Sequence, residues 1–306
     1  MGLRDKEKKM KKIISVIAAL LLCTGLLAAC GSTGNTPAPA GSGAEPAGSS
    51  SVTPAPADDL SGEITVYAAA SLTESMDQII EAFEKEHPNV TVTPNYGSSG
   101  TLVDQIIEGA PCDVFVSAAQ KQMNMIDVTA DAEKNPDGND FVVPDTRIDL
   151  LENKCVLAVP EGNPANIQSF DDLKASFDTD GFLFAMGGES VPVGAYTQKI
   201  FESLGLDEGS LANAGEITYG EDVKGVTSAL TEGTAQAGVI YASDAYSAGL
   251  DAVAVATEEQ TGGKVIYPAA QITSGTNPDA AKAFLEFLTG PEAKGFFEGV
   301  GFTALF

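Results

Sequence analysis

From Glu63 onward, hydrophobic and polar positions switch between two periods. Ile64-Thr65-Val66-Tyr67 and Val90-Thr91-Val92-Thr93 alternate as half-buried strands do, and between them Leu72 to Glu86 carries the apolar stripe of an amphipathic helix. Leu102 to Glu108 predicts a second helix. Asp113 to Val116 predicts a buried strand, and Gln120 to Asp127 a helix with Met123 and Ile126 on one face. After an irregular polar stretch near Ala130 to Thr146, the apolar run Cys155 to Pro160 predicts a central strand that opens a second block. A helix near Phe170 to Phe177 follows, then a strand at Phe182 to Met186, helices at Val193 to Leu204 and Val223 to Glu232, and a strand at Ala237 to Tyr241. One more strand, Lys264 to Ala270, and two helices, Pro278 to Leu288 and Pro291 to Glu298, close the chain. Strands alternating with helices in two blocks, with a return after the second, predict a two-lobed α/β clamp whose chain crosses between lobes at least twice. The first lobe is expected over about 63–150 plus the C-terminal return, the second over about 155–255. No internal repeat of fixed period is present.

The N-terminal pattern is different. Six basic residues between Arg4 and Lys12 precede an uncharged, mostly apolar run from Ile13 to Ala29, the order of a secretory signal. The run ends in Leu27-Ala28-Ala29-Cys30, which resembles the bacterial lipobox, and that resemblance implies a signal peptide over 1–29 and lipidation at Cys30. Residues 30–62 are rich in Gly, Ser, Thr, Ala and Pro and read as a disordered tether. Of the four cysteines, Cys112 and Cys155 fall in the folded part, in strand-like contexts that suit either small core residues or a disulfide.

Charge narrows the function. The chain has 17 Lys and Arg against 43 Asp and Glu. Without residues 1–29 the balance is 11 against 41, near −30, so nucleic acid is not an expected partner and a basic patch cannot hold the protein on a membrane. With 43% hydrophobic and 20% charged residues the composition is that of a globular protein. One His, four Cys and no Trp exclude a multi-Cys zinc module and disfavour a sugar site built on stacking rings. The only His, His87, sits at a polar helix end before Pro88, so Ser71, Ser99 or Tyr241 would lack a base to activate it as a nucleophile. The expectation is a binding protein that is monomeric, is not an enzyme and carries no cofactor.

Candidate binding groups gather where strands run into helices. Ala68-Ala69-Ala70-Ser71-Leu72-Thr73-Glu74 places Ser71 as an N-cap, with Glu74 completing a capping box. Tyr96-Gly97-Ser98-Ser99-Gly100-Thr101 offers hydroxyls and glycines at a second helix start, where free N–H groups and the helix dipole favour an anion. In the second block, Val191-Pro192-Val193-Gly194 and Gly220-Glu221-Asp222-Val223 open helices, and Tyr241 ends a strand. Asp104, Asp113 and Asp222 lie near these segments and are expected to cap or pair away from a ligand. Each segment also admits a purely structural reading; their recurrence at strand ends favours a ligand.

With Gly109-Ala110-Pro111-Cys112-Asp113-Val114, Ile240-Tyr241-Ala242-Ser243-Asp244 and Val300-Gly301-Phe302, these motifs resemble, in order and spacing, the periplasmic-type molybdate-binding proteins of ABC importers. The resemblance spans essentially all of 63–306. It implies a two-lobed periplasmic-binding-protein-like fold of type II, with the ligand cleft between the lobes. It also implies an oxyanion held by Ser71, Ser99, the backbone N–H groups of Val193 and Val223, and the hydroxyl of Tyr241. The second loop reads Ser-Ser-Gly where three serines are common, so Ser98 stands as the alternative to Ser99; Val193 replaces a usual Ala but would act through its backbone. Such a site contains donors only, which suits a fully deprotonated dianion such as molybdate or tungstate and disfavours hydrogen phosphate. Sulfate or a small organic acid is the alternative ligand, and the implied partner is an ABC permease, reached from a lipid anchor on the outer face of the cell membrane.

Overall fold

The computed structural model describes residues 60–306; the signal, the lipidation site Cys30 and most of the tether lie outside them. Two sheets organise the described chain. The first contains β1 (Gly62–Ala69), β2 (Val90–Gly97), β3 (Val114–Val116), β4 (Ile148–Asn153), β10 (Val265–Gln271) and β11 (Thr303–Ala304), in the order β11-β4-β10-β3-β1-β2. The second contains β5 (Cys155–Val159), β6 (Phe184–Gly187), β7 (Ile217–Gly220), β8 (Ala237–Tyr241) and β9 (Asp251–Val255), in the order β7-β6-β8-β5-β9. Each sheet forms the centre of one lobe of an α/β clamp. The chain passes from the first to the second between Asn153 and Cys155 and returns between Val255 and Val265.

The returning strand β10 inserts antiparallel between β3 and β4, and β5 runs antiparallel between β8 and β9. Strand β11 also pairs antiparallel with β4, whereas β1 with β2 and β3, and β6 with β7 and β8, are parallel. Parallel strands need crossover helices. Here α1 (Thr73–Glu86) and α2 (Ser99–Ile107) serve the first lobe, and α5 (Pro192–Leu204) and α7 (Val223–Thr231) the second. Their buried faces are the apolar stripes read from the sequence: Met76, Ile79, Ile80 and Phe83 in α1, and Val193, Ile200 and Phe201 in α5. Because every crossover starts at the carboxyl end of its strand, Ala69, Gly97, Gly187, Gly220 and Tyr241 all end on strand edges of the kind at which open α/β sheets bind ligands.

Several short elements carry no periodic signal. In strand β4 the Leu150-Leu151 pair breaks the alternation of buried and exposed positions, and β10 and β11 pair with the strand from both sides. Strand β7 is a half-buried edge, β9 is the opposite edge, and α6 (Glu208–Ala214) buries no residue. The remaining helices are α3 (Gln120–Asn124), α4 (Phe170–Ser176), α8 (Ala242–Ala248), α9 (Glu258–Thr261), α10 (Pro278–Leu288) and α11 (Pro291–Gly299). No helix among the described residues is long and apolar enough to cross a membrane. Cys112 and Cys155 are buried free thiols, each pushed up by burial, so the core-residue reading holds and the disulfide does not form.

Among the described residues no cation pairs with the core carboxylate of Asp113. Its Oδ2 accepts the N–H of Thr65 at 2.8 Å, and its Oδ1 accepts those of Thr276 and Asn277 at 2.8 and 3.0 Å. It thereby ties β1 to the segment that leads into α10, far along the chain. Asp113→Ala leaves three N–H groups without their acceptor and is expected to cost about 3 kcal/mol, read as a lower urea midpoint at unchanged slope; a loss under 1 kcal/mol contradicts the tie.

Candidate functional site

Ser71 does not cap α1. The chain leaves β1 through a 3-10 turn, Ala70–Leu72, and the residue before α1 is Leu72, with no side-chain cap bond. The expected capping box is absent because both of its members face elsewhere. Ser71 Oγ lies 2.9 Å from the hydroxyl of Tyr267 on β10, 196 residues away. Glu74 reaches across to the other lobe, where Lys224 Nζ stands 2.6 and 2.8 Å from its two oxygens.

The two serines of the next loop have different roles. Ser98 is the N-cap of α2: its Oγ accepts the Gly100 N–H at 3.2 Å and donates to the carbonyl of Ser190, in the other lobe, at 3.3 Å. Its proton is therefore committed. Ser99 is fully buried, and its Oγ accepts the backbone N–H of Ala118, just past β3, at 2.9 Å, which leaves its own proton for another acceptor. Gly100 packs so closely on the second lobe that a Cβ there would fall 2.2 Å from the Ser190 carbonyl oxygen. A side chain at this position would require the Ser190 carbonyl to shift.

In the second lobe, α5 begins with Pro192 at its first position, so Val193 N–H lies in the first turn, where no helical carbonyl can accept it. Gly194 lets this turn fold back on β6; a Cβ would come within 2.4 Å of the carbonyl oxygens of Gly187 and Gly188. Val223 opens α7 behind the cap Asp222, whose Oδ1 accepts Gly225 N–H at 2.9 Å. Tyr241 ends β8 with its hydroxyl buried and without a hydrogen-bond partner. Burial, supplemented by Tyr267, Cys155, Tyr196 and Asp244, raises this phenol well above its ordinary value, so it stays a donor.

Ser71, Ser98, Ser99, Val193, Val223 and Tyr241 line one cavity between the lobes, together with Ala69, Ala70, Gly97, Ala118, Val191, Pro192 and Asp222. It offers about 10 Å³ to the centre of a water-sized sphere, a compact space that suits one small ion better than a sugar. Asp222 is the carboxylate in its lining, and the cap bond turns one of its oxygens to the helix. Asp104 is exposed and lines a separate opening with Lys121 and Glu189, and Asp113 lies in the core.

Residues that the sequence did not place at the site support this cavity. The ring of Tyr267 stands 5.6 Å from that of Tyr241, joining the lobes at the cleft, and Phe302 packs 5.2 Å behind it. Tyr267 was hidden in an apolar strand; the signal is a buried hydroxyl that needs a partner. Lys224, next to Val223, faces Glu74 and also lies 3.4 Å from Asp244 Oδ1. Neither Asp244 oxygen has a hydrogen bond.

The family of this architecture is clear. Residues 64–303 match the model of the bacterial extracellular solute-binding proteins, and the chain belongs to that family, whose members bind solutes and are not enzymes. It is 34% identical over 242 residues to YvgL of Bacillus subtilis, provisionally named an ABC transporter substrate-binding lipoprotein, covering 79% of this chain and 86% of that one. It is also 34% identical over 245 residues to the molybdate-binding protein ModA of Escherichia coli, covering 79% and 89%. The fold matches the periplasmic molybdate-binding protein of Azotobacter vinelandii with a TM-score of 0.65 at 21% identity, over 78% of this chain and 98% of that one. The chain is thus the extracytoplasmic substrate-binding component of an ABC transporter, and the resemblance read from its motifs holds.

Burial raises the Asp244 carboxyl from 3.8 to about 7, with Lys224 opposing and Glu74 and Asp222 adding to the rise. A carboxyl raised on folding binds more protons in the folded state, so stability falls as pH climbs from about 4 towards 7 and levels beyond. Asp244→Asn lacks this slope. Its urea midpoint, relative to the unaltered chain, should rise between pH 5 and pH 8; an unchanged difference would show that Asp244 does not titrate there.

Proposed function

We propose that this protein captures molybdate or tungstate in the interlobe cavity and delivers it to its permease. One observation carries the reading. Two serine hydroxyls, two first-turn backbone N–H groups and a buried tyrosine hydroxyl without a partner converge on one small cavity from strand ends of both lobes. The ligand set is Ser71, Ser99, Val193 N–H, Val223 N–H and Tyr241, with Ser98 excluded because its proton goes to Ser190. A dianion that carries no proton accepts from all five. A ligand with a proton of its own would set donor against donor, and sulfate is separated from molybdate only by size. Hydrogen bonds to a charged partner contribute about 1.5–3 kcal/mol each, so five donors can support tight binding after ordering costs. The molybdate-binding name of the Escherichia coli relative favours the same ligand.

The site needs no cationic side chain. Surface carboxylates more than about 8 Å away are screened at physiological ionic strength, and helix starts supply the local positive potential. We further propose that residues 1–29 are removed as a signal, that diacylated Cys30 holds the protein on the outer face of the membrane, and that residues 31–62 tether a monomeric clamp.

Calorimetric titration should give one-to-one binding of molybdate and of tungstate, with sulfate and phosphate at least 100-fold weaker. Ser71→Ala and Ser99→Ala should each weaken molybdate about tenfold or more, and Ser98→Ala less than either. Preferred binding of sulfate, or full molybdate affinity in the Ser71→Ala, Ser99→Ala double variant, overturns the reading. Cys30→Ser should move the protein from the membrane fraction to the medium; retention in the membrane fraction refutes the lipid anchor.

A further inference from the structure

We infer that Asn153 and Tyr267 are positioning residues that fix the Ser71 hydroxyl as a donor into the cavity, and so set the preference of the site for anions that carry no proton. The inference rests on the oxyanion reading above and goes beyond it to the origin of selectivity.

The direction of every bond follows from one backbone group. The N–H of Lys154 can only donate, and it reaches Asn153 Oδ1 at 2.8 Å. That contact assigns the amide: its oxygen faces Lys154, so its NH2 faces the other way. The NH2 has two protons and donates to Ser243 Oγ at 2.9 Å and to the Tyr267 hydroxyl at 3.3 Å. The Tyr267 oxygen is therefore an acceptor from Asn153. Its single proton has Ser71 Oγ, 2.9 Å away, as its remaining partner. Distance alone allows either oxygen of that last pair to donate; if Ser71 donated, the buried Tyr267 proton would have no acceptor among the described residues, so Tyr267 donates. Ser71 accepts from Tyr267, and its own proton is left for the cavity it lines.

Burial makes the relay hold. Asn153, Tyr267, Ser71 and Ser243 are each at most 4% exposed, so bulk water does not substitute for any member. In a medium of low dielectric, each bond polarises the next in the same sense. Ser99 reaches the same state by a shorter route, because its Oγ accepts the Ala118 N–H. Both serines thus have a donor behind them and present a proton in front. A hydrogen phosphate that turned its O–H towards Ser71 would meet that proton, and no rotation of the serine could relieve the conflict without breaking the relay.

The test compares molybdate with phosphate at pH 8, phosphate being read by competition, in the full chain and its variants. Tyr267→Phe removes the donor behind Ser71 and frees that hydroxyl to accept. Molybdate affinity should fall about tenfold, and the molybdate-to-phosphate ratio should narrow at least fivefold. In a Ser71→Ala background the same substitution should leave the ratio unchanged, which a merely structural role for Tyr267 would not predict. Asn153→Asp replaces the NH2 by an acceptor, turns the Tyr267 proton away from Ser71, and should narrow the ratio as well. It decides the matter if Tyr267→Phe does not fold, as judged by melting. An unaltered chain that binds neither molybdate nor tungstate overturns the oxyanion reading. Tight molybdate binding by the unaltered chain, with no change of ratio or no phosphate competition in the folded variants, overturns the relay alone.

Discussion

A hydroxyl has one proton, and the site depends on where the fold sends each of them. Backbone N–H groups, which can only donate, set the direction at both serines. Ala118 N–H meets Ser99 Oγ directly, and Lys154 N–H orients the Asn153 amide that leads through Tyr267 to Ser71. Ser98, one residue from Ser99, shows the opposite outcome, because a carbonyl of the other lobe takes its proton. Two adjacent serines thus differ in which partner holds the hydroxyl, and Ser99 alone keeps its proton unassigned. The unpartnered hydroxyl of Tyr241 and the helix starts at Val193 and Val223 complete a lining in which donors dominate.

The same contacts bring the lobes together. Tyr241 packs on Tyr267, Ser98 bonds to Ser190, and Glu74 pairs with Lys224, so the cavity-lining loops lie beside bridges across the cleft. Gly100 belongs to this set, since its missing side chain leaves the Ser190 carbonyl room to approach. Both members of the Glu74–Lys224 pair are partly exposed, which limits its contribution to about 1 kcal/mol or less. It acts as registration between lobes more than as a source of affinity. Lys224 also faces buried Asp244, so the cation beside Val223 is engaged by carboxylates and the cavity relies on neutral donors.

Much of the fold was legible because it is written in local pattern. The stripes of α1, α5, α7 and α10, the apolar strands β5 and β8, and the glycines and Pro192 at strand ends all report periodicity or backbone requirements that neighbouring residues settle. The elements that left no pattern, β4, β7, β9 and α6, are edges, exposed turns or strands held by distant partners. The reading of Ser71 as a cap failed for a related reason: its spacing to Glu74 fits a capping box, but tertiary partners 196 and 150 residues away claim both side chains.

Local pattern and composition were enough to read the alternation of strands and helices, the positions of the five strand-end loops, and the lack of the soft ligands and bases that other chemistries need. Contacts between distant segments were needed to show which hydroxyl keeps its proton for the cavity, that Asn153 and Tyr267 stand behind Ser71, and that Lys224 spans the cleft. Periodicity records which side of an element faces the core, over a few residues at a time. The direction of a hydrogen bond depends on the group at its other end, and here that group comes from another strand or from the other lobe.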